Sequence, residues 1–350
     1  MEIVKIFCRF GELLKAETSK PSQEFTDIMQ RAESKFPFFT SENIIRSLNA
    51  VALWLTEENL NSWLRAYPVL CENLTDKKIA VIMAGNIPFV GFHDVLCVLM
   101  AGHKAILKQS SNDPYLWKYL LRLLERVSPE LAARVEITDG LLRDFDAVIA
   151  TGSNNSARYF EEYFARVPHL IRKNRSSAAV LCGDESEADL DGLHDDIFSY
   201  FGLGCRNISH VFLPAGYDVQ RLAFRQGNGS TDDKLKSHNA YMHNYEYSRT
   251  LALINDTPHI DTGYCLWIEN SSLCSPIAVI YYSFYDNFRQ VEKYILEHKN
   301  EIQCIAGNTP LHLPVLKFGT AQNPAVTEYA DGIDTMRFCS KIINFTATTA

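Results

Sequence analysis

The stretch KIAVIMAGNIPFVGFHDVLCVLMAGHKAILKQS, residues 78–110, sets two short apolar runs on either side of a longer apolar segment. Runs such as KIAVIMAG and HKAILKQS, rich in aliphatic residues, are typical of strands that are buried on both faces. The segment between them, NIPFVGFHDVLCVLMAG, begins as a loop and continues as a helix. A strand, a helix and a second strand in succession predict a parallel β-sheet with helical connections.

The same alternation continues toward residue 172. SNDPYLWKYLLRLLER opens with capping residues and an early proline, and its leucines recur at helical spacing. VEIT and FDAVIATG predict two further strands, and SNNSARYFEEYFARV predicts a helix opened by serine and asparagine. The predicted fold class is therefore α/β, with a doubly wound parallel sheet.

Changes of pattern divide the chain into four regions. Residues 1–75 have apolar positions at helical spacing and predict a helical segment packed on the first α/β domain, which covers residues 76–172. Residues 173–330 form a second α/β domain, with strands in SSAAVLCG, ISHVFLP and SPIAVIYYSF and a helix in DGLHDDIFSYF. We expect residues 331–350 to form a C-terminal tail. The polar segment Phe224–Arg249 has no clear helical or strand pattern.

Composition limits the function. The 350 residues carry a formal net charge of -8 and a pI near 5.7, whereas nucleic-acid-binding proteins are normally basic. No apolar run approaches the roughly 20 residues that span a bilayer. We therefore expect a cytoplasmic protein without a membrane span that does not bind nucleic acid.

The cysteines indicate neither disulfides nor a metal site. Nine cysteines are scattered along the chain, and none forms a CxxC pair. A disulfide framework or a zinc site would show regular or paired spacing. We expect reduced thiols and no bound metal.

One of these thiols, Cys205 in FGLGCRNISHVF, lies between glycines and an Arg-Asn pair. The glycines do not form a dinucleotide-binding loop, because that loop follows a strand and opens a helix, whereas here the predicted helix comes first. Small neighbours let a substrate approach the backbone, and Arg206 favours a thiolate. The alternative is an inert buried cysteine, which is the commoner case.

Polar residues follow three predicted strands of the first domain. Thr151, Gly152 and Ser153 lie between a strand and a helix, where backbone N–H groups hold phosphate, although Ser153 also suits an ordinary helix cap. Asn86 follows the strand KIAVIM, where it donates to an oxyanion or only makes a turn. Lys108 ends the next strand and either reaches a cofactor or is solvated.

Taken in order, GNIP at 85–88, LKQSSNDP, ATGS at 150–153 and GLGCRN resemble the aldehyde dehydrogenase superfamily. Its members carry an Asn-containing turn, a lysine followed by small polar residues and a proline, a Gly-Ser at a helix start and a catalytic cysteine in that order. Within it, the chain is most similar to the acyl-CoA reductases of the LuxC family. FGTAQNPAVTEYADGIDTMRFC, residues 318–339, also resembles this branch.

The resemblance implies an aldehyde dehydrogenase-like fold with two doubly wound domains, of which residues 76–172 bind the cofactor and residues 173–330 hold the catalytic cysteine. It implies that Cys205 is the nucleophile and that Asn86 is an oxyanion donor. The implied cofactor contacts are Lys108, Ser110, Thr151, Gly152, Ser153 and Pro276. The implied cofactor is NADPH, with NADH as the alternative, and the implied substrate is a coenzyme A thioester.

Two departures from the superfamily pattern matter. Aldehyde-oxidising relatives hold a glutamate that activates water in a Glu-Leu-Gly-Gly run upstream of the cysteine, and this chain has HLIRKNRSSAAV there, without a carboxylate. Without that base, water should hydrolyse the acyl-cysteine only slowly, which suits acyl transfer between coenzyme A and the cysteine. Ser272 falls where relatives hold a glutamate that binds the nicotinamide ribose.

The expected activity is reduction of an acyl-CoA to an aldehyde through an acyl-cysteine. The alternatives are a cysteine-dependent acyltransferase or thioesterase without hydride transfer, and a non-catalytic binding subunit. The resemblance also implies that acyl-delivering or aldehyde-consuming enzymes are partners and that the protein forms a homo-oligomer. His169 and His210 are two candidate bases for the thiol, although a lone histidine is more often structural. Arg172, Lys173 and Arg175 form either a coenzyme A patch or a solvated surface.

Overall fold

The computed structural model describes residues 2–67, 74–225 and 231–342. The predicted α/β class is confirmed, because both sheets consist mainly of parallel strands connected by helices. Two compact units are present, one from the described parts of Met1–Asn174 and Ala325–Ala350 and one from those of Arg175–Pro324. The four-region division proposed from the sequence stays a prediction.

Four helices begin the first unit, in the region that the sequence predicts to be mostly helical. Three of them start at a serine or threonine whose side chain accepts a hydrogen bond from the third residue beyond it: Ser22, Thr40 and Thr56. Their apolar faces join the core that also covers one face of the first sheet. The helices are α1 Glu2–Ser19, α2 Gln23–Lys35, α3 Ser41–Trp54 and α4 Glu57–Leu64.

The first sheet is fully parallel, with strand order β3-β2-β1-β4-β5. Four of its strands were predicted, and the fifth, from His169 to Arg172, was not. The strands are β1 Lys78–Ile82, β2 Lys104–Lys108, β3 Val135–Thr138, β4 Ala147–Thr151 and β5 His169–Arg172; the helices are α5 Phe92–Met100, α6 Leu116–Val127, α7 Pro129–Ala132 and α8 Asn154–Tyr163.

A buried ion pair between β5 and α5 also holds Thr335 in this unit. Arg172 and Asp94 are both buried and lie 2.9 Å apart from Nη2 to Oδ1. The same guanidinium donates to the hydroxyl of Thr335 at 2.7 Å. Thr335 begins α14, Thr335–Ile342, the last helix within the described residues, and α14 packs on α5.

The second sheet has the order β11-β6-β7-β10-β9-β8, with only β8 antiparallel. The strands are β6 Ser176–Val180, β7 Ile208–Pro214, β8 Ile260–Asp261, β9 Leu266–Glu269, β10 Val279–Tyr285 and β11 Ile302–Gly307. The helices are α9 Glu187–Phe198, α10 Gln220–Ala223, α11 Thr231–Ser237, α12 Asn239–Ile254 and α13 Phe288–Glu297. Two of these helices, α11 and α12, occupy the segment that the sequence left unassigned.

Among the helices of residues 2–67, 74–225 and 231–342, none combines the length and the apolar content that crossing a bilayer requires.

Candidate active site

Cys205 is exposed on a loop of the second unit, between the end of α9 and the start of β7. A 3₁₀ turn, Ser199–Gly202, leads into this loop. Its residues Tyr200 and Phe201 have φ of 52° and 60°, a region that residues other than glycine rarely adopt. The predicted order of helix, loop and strand is confirmed, so the thiol lies at the amino end of a central strand.

Asn207 fastens this loop to the end of the helix. Its side chain is 3% exposed, and its Nδ2 donates to the carbonyls of Asp196 at 3.0 Å, Ile197 at 3.1 Å and Ser199 at 2.7 Å. Its Oδ1 accepts from the Gly204 N–H at 2.8 Å. The last carbonyls of a helix have no partner within the helix. One amide thus satisfies the helix end and fixes the residue before the cysteine.

A fully buried serine holds Cys205 from the neighbouring strand. Ser177, on β6, donates from its Oγ to the Cys205 carbonyl at 2.9 Å. The same Oγ accepts from the Cys304 N–H at 3.2 Å and lies 3.1 Å from the Cys304 sulfur. The backbone of Cys205 is therefore restrained by the sheet as well as by the helix.

The segment 318–321 is clamped against the same helix and loop. The Asp196 carboxylate accepts from the Gly319 N–H at 2.7 Å and from the Ala321 N–H at 3.0 Å. Arg206 donates from Nη1 to the Ala321 carbonyl at 3.2 Å. Asp196 therefore bonds to segment 318–321 through its side chain and to Asn207 through its backbone.

Asp196 gives the unfolding free energy a pH dependence. Burial, with the nearby Asp195 adding to it, raises the Asp196 pKa to about 6, although the two N–H donors lower it. In the unfolded chain an aspartate has a pKa of about 3.9. Between these values the folded chain keeps a proton that the unfolded chain releases, so the free energy of unfolding falls by about 2 kcal/mol as the pH rises from 4 to 6.

Urea unfolding of the wild type and Asp196→Asn at several pH values between 4 and 7 measures this effect. The variant cannot ionise at this position, so the difference in unfolding free energy between the two proteins should change across pH 4 to 6 and stay constant above it. Parallel pH profiles for the two proteins would contradict the assignment.

The buried histidine of β7 is unsuited to be the base for the thiol. His210 is 0% exposed, and its Nδ1 lies 2.9 Å from the Ser272 carbonyl and its Nε2 2.9 Å from the Ser283 hydroxyl. Burial lowers the His210 pKa to about 4, so the ring is neutral and weakly basic near pH 7. His169 is exposed on β5 of the first unit, and its Nδ1 lies 3.0 Å from the Val167 carbonyl.

Pro276 lies beside the turn that precedes the cysteine. A small apolar pocket of the second unit is lined by Pro276 together with Phe201 and Gly202. The preceding Ser275 donates to the Val279 carbonyl at 2.5 Å, which closes the turn before β10. The structure thus brings Pro276 to the loop of Cys205.

The other predicted site residues lie at one edge of the first sheet. In this sheet β2 and β4 lie on opposite sides of β1, and all three strands are parallel. Their carboxyl ends are therefore neighbours. Ligands of doubly wound folds bind at such a switch in strand order. Lys108 and Thr151 are the last residues of β2 and β4. Asn86 comes after β1, Ser110 after β2, and Gly152 and Ser153 after β4.

Two of the loops at this edge are in direct contact. A Cβ at Gly85 would lie 2.0 Å from the Ser110 hydroxyl. Only glycine therefore allows the turn before Asn86 to lie this close to Ser110. Lys108 donates from Nζ to the carbonyls of Asp139 and Gly140. The lysine is therefore held at the end of β2 by the loop that follows β3.

The helix that follows β4 starts at this edge. Ser153 accepts a hydrogen bond from the Ser156 N–H at 3.2 Å and is the N-cap of α8. A Cβ at Gly152 would lie 2.9 Å from the Ser156 Cβ and 3.0 Å from the Phe160 ring. Because the first residues of α8 are exposed, an anion can reach the positive end of this helix.

The suggestion that Arg172 belongs to a coenzyme A patch is wrong. Its guanidinium is buried and paired with Asp94. Lys173 is exposed but forms an ion pair with Glu161 at 3.0 Å, and Arg175 donates to the Ile302 carbonyl at 3.0 Å. The three cations therefore do not form one accessible patch.

The sequence did not single out the residues that hold the cysteine loop. Ser177 and Asp196 have their partners about 30 and 120 positions away, at Cys205 and at 319–321, and no local pattern announces such contacts. Asn207 stands out in the sequence only as the asparagine of the Arg-Asn pair beside Cys205. Its spacing after Gly204 and after the helix end is the one signal that sequence offered.

The sequence profile of the acyl-CoA reductase (LuxC) family matches residues 2–222. No curated protein gives a significant match. Among solved structures, the chain is similar to aldehyde dehydrogenase 21 from Physcomitrella patens in complex with the product succinate, with a TM-score of 0.66, 12% identity and coverage of 97% of this chain and 84% of that one.

Two further structures have the same fold. An aldehyde dehydrogenase from Mycobacterium tuberculosis, complexed with NAD+, gives a TM-score of 0.62 at 15% identity and covers 89% of this chain and 73% of its own. A variant of aldehyde dehydrogenase C from Pseudomonas syringae, complexed with NAD+ and octanal, gives a TM-score of 0.63 at 13% identity. The match covers 87% of this chain and 71% of that one. The predicted aldehyde dehydrogenase-like fold is confirmed. The chain belongs to the acyl-CoA reductase (LuxC) family, which makes it an oxidoreductase of the kind that acts on aldehydes or acyl-CoA.

Proposed function

We propose that this chain reduces an acyl-CoA thioester to an aldehyde with NAD(P)H, through an acyl group carried on Cys205. The observation that supports this most strongly is an exposed cysteine on a loop that three buried groups restrain, in a chain of an acyl-CoA reductase family. A nucleophile needs both access and a fixed position. An ordinary structural cysteine has neither requirement.

Two features at this edge of the first sheet, the exposed start of α8 and the lysine that ends β2, support the proposal of a bound nicotinamide dinucleotide. The exposed start of α8, with Thr151, Gly152 and Ser153, would hold a phosphate through backbone N–H groups. Lys108 and Ser110 would contact the ribose or a further phosphate. In the second unit, Pro276 would lie against the nicotinamide ribose. NADPH is the first choice, with NADH as the alternative.

In the first step, the Cys205 thiolate attacks the thioester carbon. Asn86 and the Cys205 N–H would donate to the oxygen of the tetrahedral adduct, and removing one such donor typically costs about 3 kcal/mol in the barrier. The bond from this carbon to the coenzyme A sulfur then breaks. Coenzyme A leaves as a thiolate that takes a proton, and the acyl group remains on Cys205.

In the second step, a nicotinamide dinucleotide bound at the first sheet would supply the hydride that reduces the acyl carbon. This addition leaves a thiohemiacetal alkoxide on the Cys205 sulfur, which Asn207 and Ser177 hold in place. The alkoxide re-forms the carbonyl as the carbon–sulfur bond breaks, which releases the aldehyde and restores the thiolate. The stretch HLIRKNRSSAAV has no carboxylate to activate water, so the acyl-cysteine persists long enough to be reduced.

Intact-mass measurement of the purified protein tests this sequence of steps. The protein is exposed to short-, medium- and long-chain acyl-CoA, first alone and then with NADPH or NADH. We expect an adduct of the acyl mass that one of the cofactors discharges as aldehyde. An adduct that ignores both cofactors indicates an acyltransferase or thioesterase, and the absence of any adduct indicates a non-catalytic subunit.

A further inference from the structure

Gln322 places an amide beside the cysteine loop. It follows segment 318–321, whose backbone is fixed by Asp196 and Arg206. The Gln322 Oε1 would lie 3.8 Å from a Cβ built on Gly204, the residue immediately before Cys205. The family profile ends at residue 222, so this segment lies outside the matched region.

The amide nitrogen of Gln322 is buried and has no hydrogen-bond partner among the described residues. A buried donor without an acceptor costs free energy that folding alone does not recover. The terminal torsion of glutamine has a broad range, so the amide can turn toward an arriving group at little cost. A ligand that offers an acceptor beside Gly204 would satisfy it.

The proposed reaction brings one such group close to the sulfur of Cys205. In a coenzyme A thioester, two methylene groups separate the sulfur from the first amide of the pantetheine arm. A secondary amide offers both an N–H and a carbonyl, and a glutamine amide complements both. Resting on the proposed function, we infer that Gln322 binds this amide and so selects acyl donors that carry a pantetheine-type arm.

A pair of small acyl donors isolates this contact. Both carry the same acyl group, but the N-acetylcysteamine thioester has the amide and the S-propyl thioester lacks it. The rate of Cys205 acylation by each, followed by intact mass in a single turnover, is compared between the wild type and Gln322→Met. Methionine keeps the length of the side chain and removes the amide.

We expect the wild type to prefer the donor with the amide by about 10-fold, the value of one or two neutral hydrogen bonds. Gln322→Met should lose this preference by slowing only the amide-bearing donor. Its thermal midpoint should stay the same or rise, because an unpartnered amide is gone. Asn323→Ala, the exposed neighbouring amide, should keep the preference.

Two results would overturn the inference while leaving the proposed function intact. In one, the wild type is acylated but does not prefer the donor with the amide. In the other, Gln322→Met slows both donors equally or neither of them, which places the role of Gln322 elsewhere than on the amide. If the wild type forms no adduct with these donors or with acyl-CoA, the proposed function fails and the inference fails with it.

Discussion

Replacing Cys205 with alanine is expected to reduce aldehyde formation from acyl-CoA by about 10⁶-fold, to the background rate, because removal of a covalent nucleophile leaves no route through an acyl-enzyme. The acyl adduct should also disappear from the intact mass. Cys205 is exposed, so the change leaves no cavity and should not unfold the protein. Both measurements, aldehyde production with NADPH or NADH and the mass shift without them, are made on one preparation.

The matched control is Cys274→Ala, which removes the other cysteine that is exposed in the described part of the second unit. It should retain the adduct and the aldehyde. Two outcomes would sink the proposal: aldehyde formation that survives in Cys205→Ala, or an adduct that disappears in Cys274→Ala instead.

The sequence predicted most of the fold because the strands of a doubly wound sheet are short and apolar. KIAVIMAG and HKAILKQS became β1 and β2. The strand His169–Arg172 was missed because polar residues occupy both of its ends, and its arginine is buried only by pairing with Asp94. Charge alone indicated a surface patch, and the pairing that contradicts it spans 78 positions along the chain.

The candidate site likewise contains some residues that the sequence can predict and others that it cannot. Residues at the ends of strands can be predicted, since Asn86, Lys108 and Ser153 each follow an apolar run, and parallel strands bring their carboxyl ends to one edge. The residues that fix the cysteine cannot, because Ser177 and Asp196 act through contacts that depend on the tertiary fold. Their roles follow from burial and hydrogen bonding, which composition does not contain.

Replacing Asn207 with alanine is expected to lower the free energy of unfolding by about 3 kcal/mol, because a buried amide that makes four hydrogen bonds is lost. Three carbonyls at the end of α9 and the Gly204 N–H would lose their partner. Urea unfolding measures the loss, and Asn300→Ala, at an exposed position, is the control and should stay close to the wild type.

The same change should slow acylation of Cys205 by about 100-fold at a temperature where the variant is folded, because a nucleophile displaced by about 1 Å loses that much. Asn207→Asp separates the two ends of the amide: its carboxylate still accepts from Gly204, but it sets an oxygen against the three carbonyls, so it should be no more stable than the alanine variant. If both variants unfold like Asn300→Ala and acylate at the wild-type rate, the loop is held by other groups. If stability falls while acylation stays unchanged, Asn207 caps the helix without positioning the thiol. The predicted joint loss therefore tests whether one side chain couples the end of α9 to the reactivity of Cys205.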